Sequence, residues 1–220
     1  MAERILVITG PTASGKTALS LDLAEALGGE IVNTDAMQVY RGMDIGTAKL
    51  PVAERRGIPH HLLDTLSVRD PATVADFQGW ARAAIEDIRG RGAIAVLVGG
   101  SALYTRAILD RFDFPGTDPA VRQRLEDELA VVGSAAMHER LAALDPTAAE
   151  RIEVENGRRV VRALEVIEIT GESFSGRLPV QEYVDPATVQ IGVAIDREEL
   201  DRRIEQRVRD MFDNGLVAEV

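Results

Sequence analysis

Gly10-Pro11-Thr12-Ala13-Ser14-Gly15-Lys16-Thr17 fits the pattern GxxxxGK[ST] without a mismatch. The chemistry such a run offers is the holding of a diphosphate or triphosphate. Gly10 and Gly15 permit a tight turn that brings backbone N–H groups close to a phosphate, Lys16 adds a point charge, and Thr17 offers a hydroxyl to Mg²⁺. Context separates this reading from a chance match in a surface loop. The run follows the apolar stretch Ile5-Leu6-Val7-Ile8 and precedes a helical pattern from Ala18 to Leu27. A buried strand that feeds a glycine-rich turn into a helix N-terminus aims N–H dipoles at one point.

Other residues of reactive type lie where further strands should end. Asp35 follows the second apolar run, Gly99-Gly100-Ser101 the third and Asp196 the fourth. Asp35 could coordinate Mg²⁺, serve as a general base or cap the following segment. The third run lacks the terminal Asp of a Walker B motif, which weakens an ATPase reading. Arg158, Arg159 and Arg162 are spaced to share a helix flank, either as a solvated face paired with Glu155 and Glu165 or as an anion-binding surface. Arg203 and Arg207 stand one turn apart, and an arginine reaching across the site would suit a bound diphosphate. His60-His61 has no third ligand nearby in sequence, and Phe77 and Trp80 fit a core helix face.

The elements that must position these groups follow from periodicity. Strands are expected at 4–8, 30–35, 93–98 and 189–195, with helices near 16–27, 72–90 and 102–109 between them. Short apolar strands alternating with helices predict an α/β fold, a P-loop NTPase-like parallel sheet with helices on both faces. Between Asp118 and Gly171 the pattern is helical throughout, with starts at Asp118-Pro119, Gly133-Ser134, Asp145-Pro146 and Gly157 and a stop at Gly171. The chain therefore divides into a core of residues 1–117 plus 172–220 and a helical insertion of residues 118–171. A last helix from Glu198 to Asn214 puts Leu200, Ile204, Val208, Met211 and Phe212 on one face. No terminating signal precedes Val220, which suggests a piece of something longer.

Composition bounds the function classes. With 45% apolar residues over 220 positions the chain can bury a full core, and the absence of cysteine excludes disulfides and cysteine-based zinc sites. Met1 leads into the first strand with no charged-then-apolar leader, and no apolar run in the sequence approaches membrane-spanning length, so a soluble, cytoplasmic protein is expected. A formal net charge of −11 argues mildly against a nucleic-acid partner, although a local arginine cluster can coexist with an acidic remainder.

Taken together, the blocks GPTASGKT at 10–17, DAMQVYRGMDIGTAK at 35–49, IPHHLLD at 58–64, VGGSALY at 98–104, RRVVRALEV at 158–166, DREELDRRIEQRV from 196 and the closing GLVAEV resemble the tRNA dimethylallyltransferases in residues and in order. The resemblance spans almost the whole chain, while the family continues beyond its last block. It implies prenyl transfer: a dimethylallyl group moves from its diphosphate to the exocyclic amine of an adenosine beside the anticodon. Gly10 through Thr17 would then hold the diphosphate with Mg²⁺, Lys16 and Arg207 would stabilise its growing charge, Asp35 would take the amine proton, and the Ser101 hydroxyl would lie near the bridging oxygen and the tRNA. Asp35, Ala36, Met37, Gln38, Ser101, Arg122, Arg158, Arg159, Val160, Val161 and Arg162 match positions that contact tRNA in the family. Ala36 stands where the family often has Ser, Ser101 where Thr is usual, and Glu153-Val154-Glu155-Asn156 where it has a stretch resembling HPND. The expected partners are tRNA and dimethylallyl diphosphate, with no membrane, and the expected state is a monomer. Rival readings are an adenylate isopentenyltransferase acting on a free nucleotide, a P-loop small-molecule kinase, and a non-catalytic nucleotide-binding module.

Overall fold

The computed structural model describes residues 4–111, 114–175 and 182–220; residues 1–3, 112–113 and 176–181, which the expected domain spans include, lie outside the described residues. Strands β1 (Ile5–Thr9), β2 (Gly29–Asn33), β3 (His60–His61), β4 (Ile94–Val98) and β5 (Val189–Gly192) form one sheet in the order β3-β2-β4-β1-β5. Every pairing is parallel, with Val7 beside Leu97 and Ile31 beside Val96. Successive side chains of a strand alternate faces, and here both faces are apolar. Val7, Val32, Ala95 and Leu97 join one cluster with Phe77, Ala81, Ile85 and Ile88 of α2 (Val74–Gly90), with Trp80 packed against it. Ile8, Ile31, Ile94 and Val96 join the other with Leu21 and Ala24 of α1 (Lys16–Leu27). Helices thus cover both faces, the burial that unbroken apolar strands require. Helix α3 (Ala102–Leu109) follows β4, and α7 (Arg197–Asp213) and α8 (Leu216–Glu219) follow β5.

The chain divides into two compact units, one comprising residues up to Arg111 and from Glu182 onward, the other what lies between. The second unit is helical: α4 (Pro119–Leu144), α5 (Pro146–Arg151) and α6 (Gly157–Thr170). Asp118, Asp145 and Asn156 cap these helices through their side chains, and Gly133, with φ 80° and ψ 166°, breaks α4 into two segments at the expected place. Leu125, Met137, Leu141, Val160 and Leu164 form this unit's own core.

Three features go beyond the sequence expectations. The second strand stops at Asn33 rather than residue 35, because the Asn33 side chain binds the Asp35 backbone and turns the chain out of the ladder. His60 and His61, which no expected strand included, form a short edge strand against Ile31 and Val32. The apolar stripe of α7 is not buried: no residue of that helix is, and Ile204, Val208 and Phe212 are exposed. Among the described residues no helix is long and apolar enough to cross a membrane.

Candidate active site

The loops leaving β1, β2 and β4 surround a cavity of about 320 Å³, and Arg207 of α7 lines it as well. In open parallel sheets this is the edge where ligands bind, beyond the carboxyl ends of the strands.

The phosphate loop is arranged for an anion. Among the described helices of six or more residues, α1 alone begins without a side-chain cap; Thr73, Ser101, Asp118, Asp145, Asn156 and Asp196 serve the others. Gly15 stands at the N-cap instead, with φ 96°. The first-turn N–H groups of α1 are therefore left for a ligand, at the positive end of the helix dipole. The buried Ser14 hydroxyl has no hydrogen-bond partner either, an orphan of the kind a bound oxygen would satisfy. Lys16 Nζ donates to the carbonyls of Gly10 (2.9 Å) and Pro11 (2.7 Å), which folds it over its own loop. Burial pushes the Lys16 ammonium below its ordinary pKa and the charge of Arg207 adds to this, while Asp35 pulls the other way. Three residues far apart in sequence are thereby coupled at one point. Arg207 has no ion pair among the described residues, so its charge is available to a ligand, whereas Arg203 is tied to Glu199.

Asp35 lines the cavity. Its Oδ1 accepts from the Met37 N–H (2.9 Å), so the capping role considered from sequence is real for one oxygen. Among the described residues Oδ2 has no donor. Asn33 fixes the backbone beneath it: Asn33 Oδ1 accepts from the Asp35 N–H (2.9 Å), and Nδ2 donates to the carbonyls of Asp35 (2.9 Å) and Leu62 (3.0 Å). Gln38 lines the cavity with Thr47, whose carbonyl accepts from Gln38 Nε2 (3.0 Å). Ala36 is half-buried and Met37 exposed.

At the end of β4, Gly99 and Gly100 line the cavity. A Cβ on Gly99 would lie 2.2 Å from Thr34 Oγ1 and 2.7 Å from the Thr34 carbonyl carbon, so only glycine lets these two strand ends pass. Ser101 is outside the lining and caps α3, accepting from the Tyr104 N–H at 3.5 Å. Among the described residues no group of three or more His, Cys, Asp or Glu side chains converges. A cation at this edge would accordingly be held by the Thr17 hydroxyl together with ligand and water oxygens, the usual manner of Mg²⁺.

In the helical unit, Arg122, Glu126, Asn156, Arg158, Arg159 and Arg162 border a hollow of about 440 Å³. The solvated-face pairing weighed from sequence needs correcting for Glu165, which is fully buried. It accepts from Arg122 and from Arg162 Nη1 (2.8 Å), and Arg162 Nη2 donates to the Pro115 carbonyl (2.8 Å). Arg158 and Arg159 are exposed. Val160 and Val161 pack into this unit's core, and Val161 also borders the hollow. Asn33, Thr47 and Ala48 were not singled out from sequence; Asn33 alone had a usable signal, a polar residue closing an apolar strand two places before Asp35.

Comparison with known proteins gives a consistent result. A family model described as IPP transferase matches residues 38–220. A tRNA dimethylallyltransferase of a Nocardioides species is 74% identical over 98% of this chain and 70% of its own length, and one of Salinispora tropica is 58% identical over 99% and 68%. The crystal structure of a tRNA isopentenylpyrophosphate transferase from Bacillus halodurans is 41% identical, with a TM-score of 0.65 over 99% of this chain and 68% of that one. A eukaryotic dimethylallyltransferase acting on tRNA, 30% identical, superposes with a TM-score of 0.87 over 99% of this chain and 55% of that one.

Proposed function

The chain belongs to the IPP transferase family, and from that premise we propose that it transfers the dimethylallyl group of dimethylallyl diphosphate to the exocyclic N6 amine of the adenosine 3′ of the anticodon in tRNA. The observation that carries this reading is the convergence of Lys16, Arg207 and Asp35 on one cavity at the sheet edge. Two cations suit the diphosphate and the carboxylate suits the amine.

The residues divide the work by charge. Residues Gly10 to Thr17 seat the diphosphate on the uncapped start of α1. As the allylic C–O bond breaks, negative charge grows on the leaving oxygens, and Lys16 and Arg207 stabilise it. Mg²⁺, which the Thr17 hydroxyl would hold, would supply further neutralisation of that charge. The amine nitrogen forms the new C–N bond and loses a proton to Asp35. An adenine amine is too weak an acid to ionise beforehand, so the proton leaves with or after bond formation. Lys16 exchanges its carbonyl partners for phosphate oxygens. Ser101, already accepting from Tyr104, still has its own O–H to donate towards the bridging oxygen.

Residues 118–171 form the tRNA-contacting part, with Arg122, Arg158, Arg159 and Arg162 on phosphates and residues 35–38 beside the target base. That base must leave its stack to meet a diphosphate at a sheet edge. In this reading the working state is a cytoplasmic monomer. The kinase reading loses support from the end of β4, where glycines replace the acid that would hold a nucleotide's metal.

The test is a nucleoside mass analysis of unmodified tRNA incubated with the protein, Mg²⁺ and dimethylallyl diphosphate. Prenyl-adenosine is the expected product, and Asp35→Asn is expected to lower turnover by about 10²–10⁴ with diphosphate binding nearly intact. Equal loss of binding and turnover would make Asp35 structural. ATP-dependent phosphorylation without prenyl transfer would restore the kinase.

A further inference from the structure

Helix α8 is short, and no residue of it is buried; Val217 is 75% exposed. Its attachment to the rest of the α/β unit is polar and aimed at one loop. Glu219 Oε2 accepts from the N–H groups of Asp44 (2.7 Å) and Ile45 (2.6 Å), and Oε1 from Gly46 (2.8 Å). Three successive backbone donors meeting one carboxylate form an anion-holding nest filled by the protein's own side chain. The approach is close: a Cβ on Gly46 would lie 3.1 Å from Leu216 Cδ1 and 3.4 Å from Glu219 Oε1.

The latched loop leads into the site. Lys49, buried beneath it, donates to Asp44 Oδ1 (2.6 Å), Asp64 Oδ1 (2.6 Å) and the Tyr40 carbonyl (2.7 Å), and the Thr47 hydroxyl donates to the Met43 carbonyl (2.6 Å). Thr47 and Ala48 line the cavity, and the Thr47 carbonyl holds the Gln38 carboxamide. We propose that Glu219 is a positioning residue of this site: its carboxylate clamps Asp44–Gly46 so that the Thr47 carbonyl fixes Gln38 in the wall that receives the acceptor base. The acceptor base rests on the prenyl-transfer reading, while the clamp does not.

The experiment compares the unsubstituted chain with Glu219→Gln, which keeps the shape but turns an amide N–H towards a backbone donor. Exchange of the Asp44, Ile45 and Gly46 amides and of the Gln38 carboxamide is expected to rise about tenfold, with amides of β1 and β4 unchanged. In steady state, KM for tRNA is expected to rise about fivefold while the Kd of inorganic diphosphate, seated on the separate phosphate loop, stays within about twofold. Partial recovery in Glu219→Asp, which keeps the charge on a shorter arm, supports the clamp. Loosened loop amides with an unmoved Gln38 carboxamide and unmoved KM would overturn the proposal, as would a general loss in which core exchange and diphosphate affinity change together. Should the chain transfer nothing, the clamp is decided by exchange of the loop amides and of the Gln38 carboxamide, whose readout is independent of prenyl transfer.

Discussion

Asn33 holds Asp35 by both ends of its carboxamide, much as a neighbouring strand would. Removing it leaves the Asp35 N–H and the Leu62 carbonyl without partners and lets the carboxylate drift, and a misplacement of about 1 Å is costly to a proton transfer. Asn33→Ala is expected to lower kcat by about 10–10² while KM for dimethylallyl diphosphate moves less than about threefold, read from steady-state kinetics. A matching rise in KM would mean that Asn33 shapes the diphosphate seat instead. The phosphate loop and Asp35 were legible in sequence because each is defined by local order: a strand end, then a glycine or an acid. Asn33 was missed because its importance lies in which carbonyls it meets, one of them 29 positions away. Arg207 could be matched only through the family blocks, since helical spacing cannot say that one arginine of a charged helix reaches a distant loop.

At the scale of elements, the helical unit was readable almost residue by residue from its punctuation. Asp118-Pro119, Asp145-Pro146 and Asn156-Gly157 start helices and Gly171 stops one, each through local backbone chemistry. What the pattern could not reveal is the sign of burial on α6, where Glu165 points inward and is met by Arg122 and Arg162. Burial alone would push the Glu165 carboxyl up, but hydrogen bonds from Arg122 and Arg162 outweigh it and hold the pKa below the usual value. A depressed carboxylate stabilises the fold above its unfolded pKa, and that contribution disappears as pH falls through the folded one. Glu165→Gln is therefore expected to destabilise the protein by about 2 kcal/mol at neutral pH, less than a fully buried pair because both arginines can turn to water. The penalty should shrink as pH falls below the ordinary carboxylate range, which thermal melts followed by ellipticity at neutral and acidic pH would check. An equal penalty at both would assign the effect to packing. The α7 stripe shows the converse limit: its period named the apolar face correctly, but period alone does not say what covers it.

For the whole molecule, the net charge of −11 and an RNA partner are reconciled by where the free cations stand. Arg162 braces Glu165 and Arg122 shares that carboxylate, so replacing either disturbs the fold as well as any contact. Arg158 and Arg159 are exposed and give the cleaner test. Alanine at both is expected to weaken tRNA binding and flatten its dependence on log salt by about one unit per arginine, with the melting temperature unchanged. An unaltered slope would leave them as a solvated face. The two units with their separate cores also have an optical consequence. The chain has a single tryptophan, Trp80, and it packs against the α/β core. Its emission therefore reports only that unit, whereas ellipticity sums the helices of both. A denaturation curve read from fluorescence is blind to the helical half, and coincidence of the two curves, not either midpoint, is what would license a single free energy for this protein.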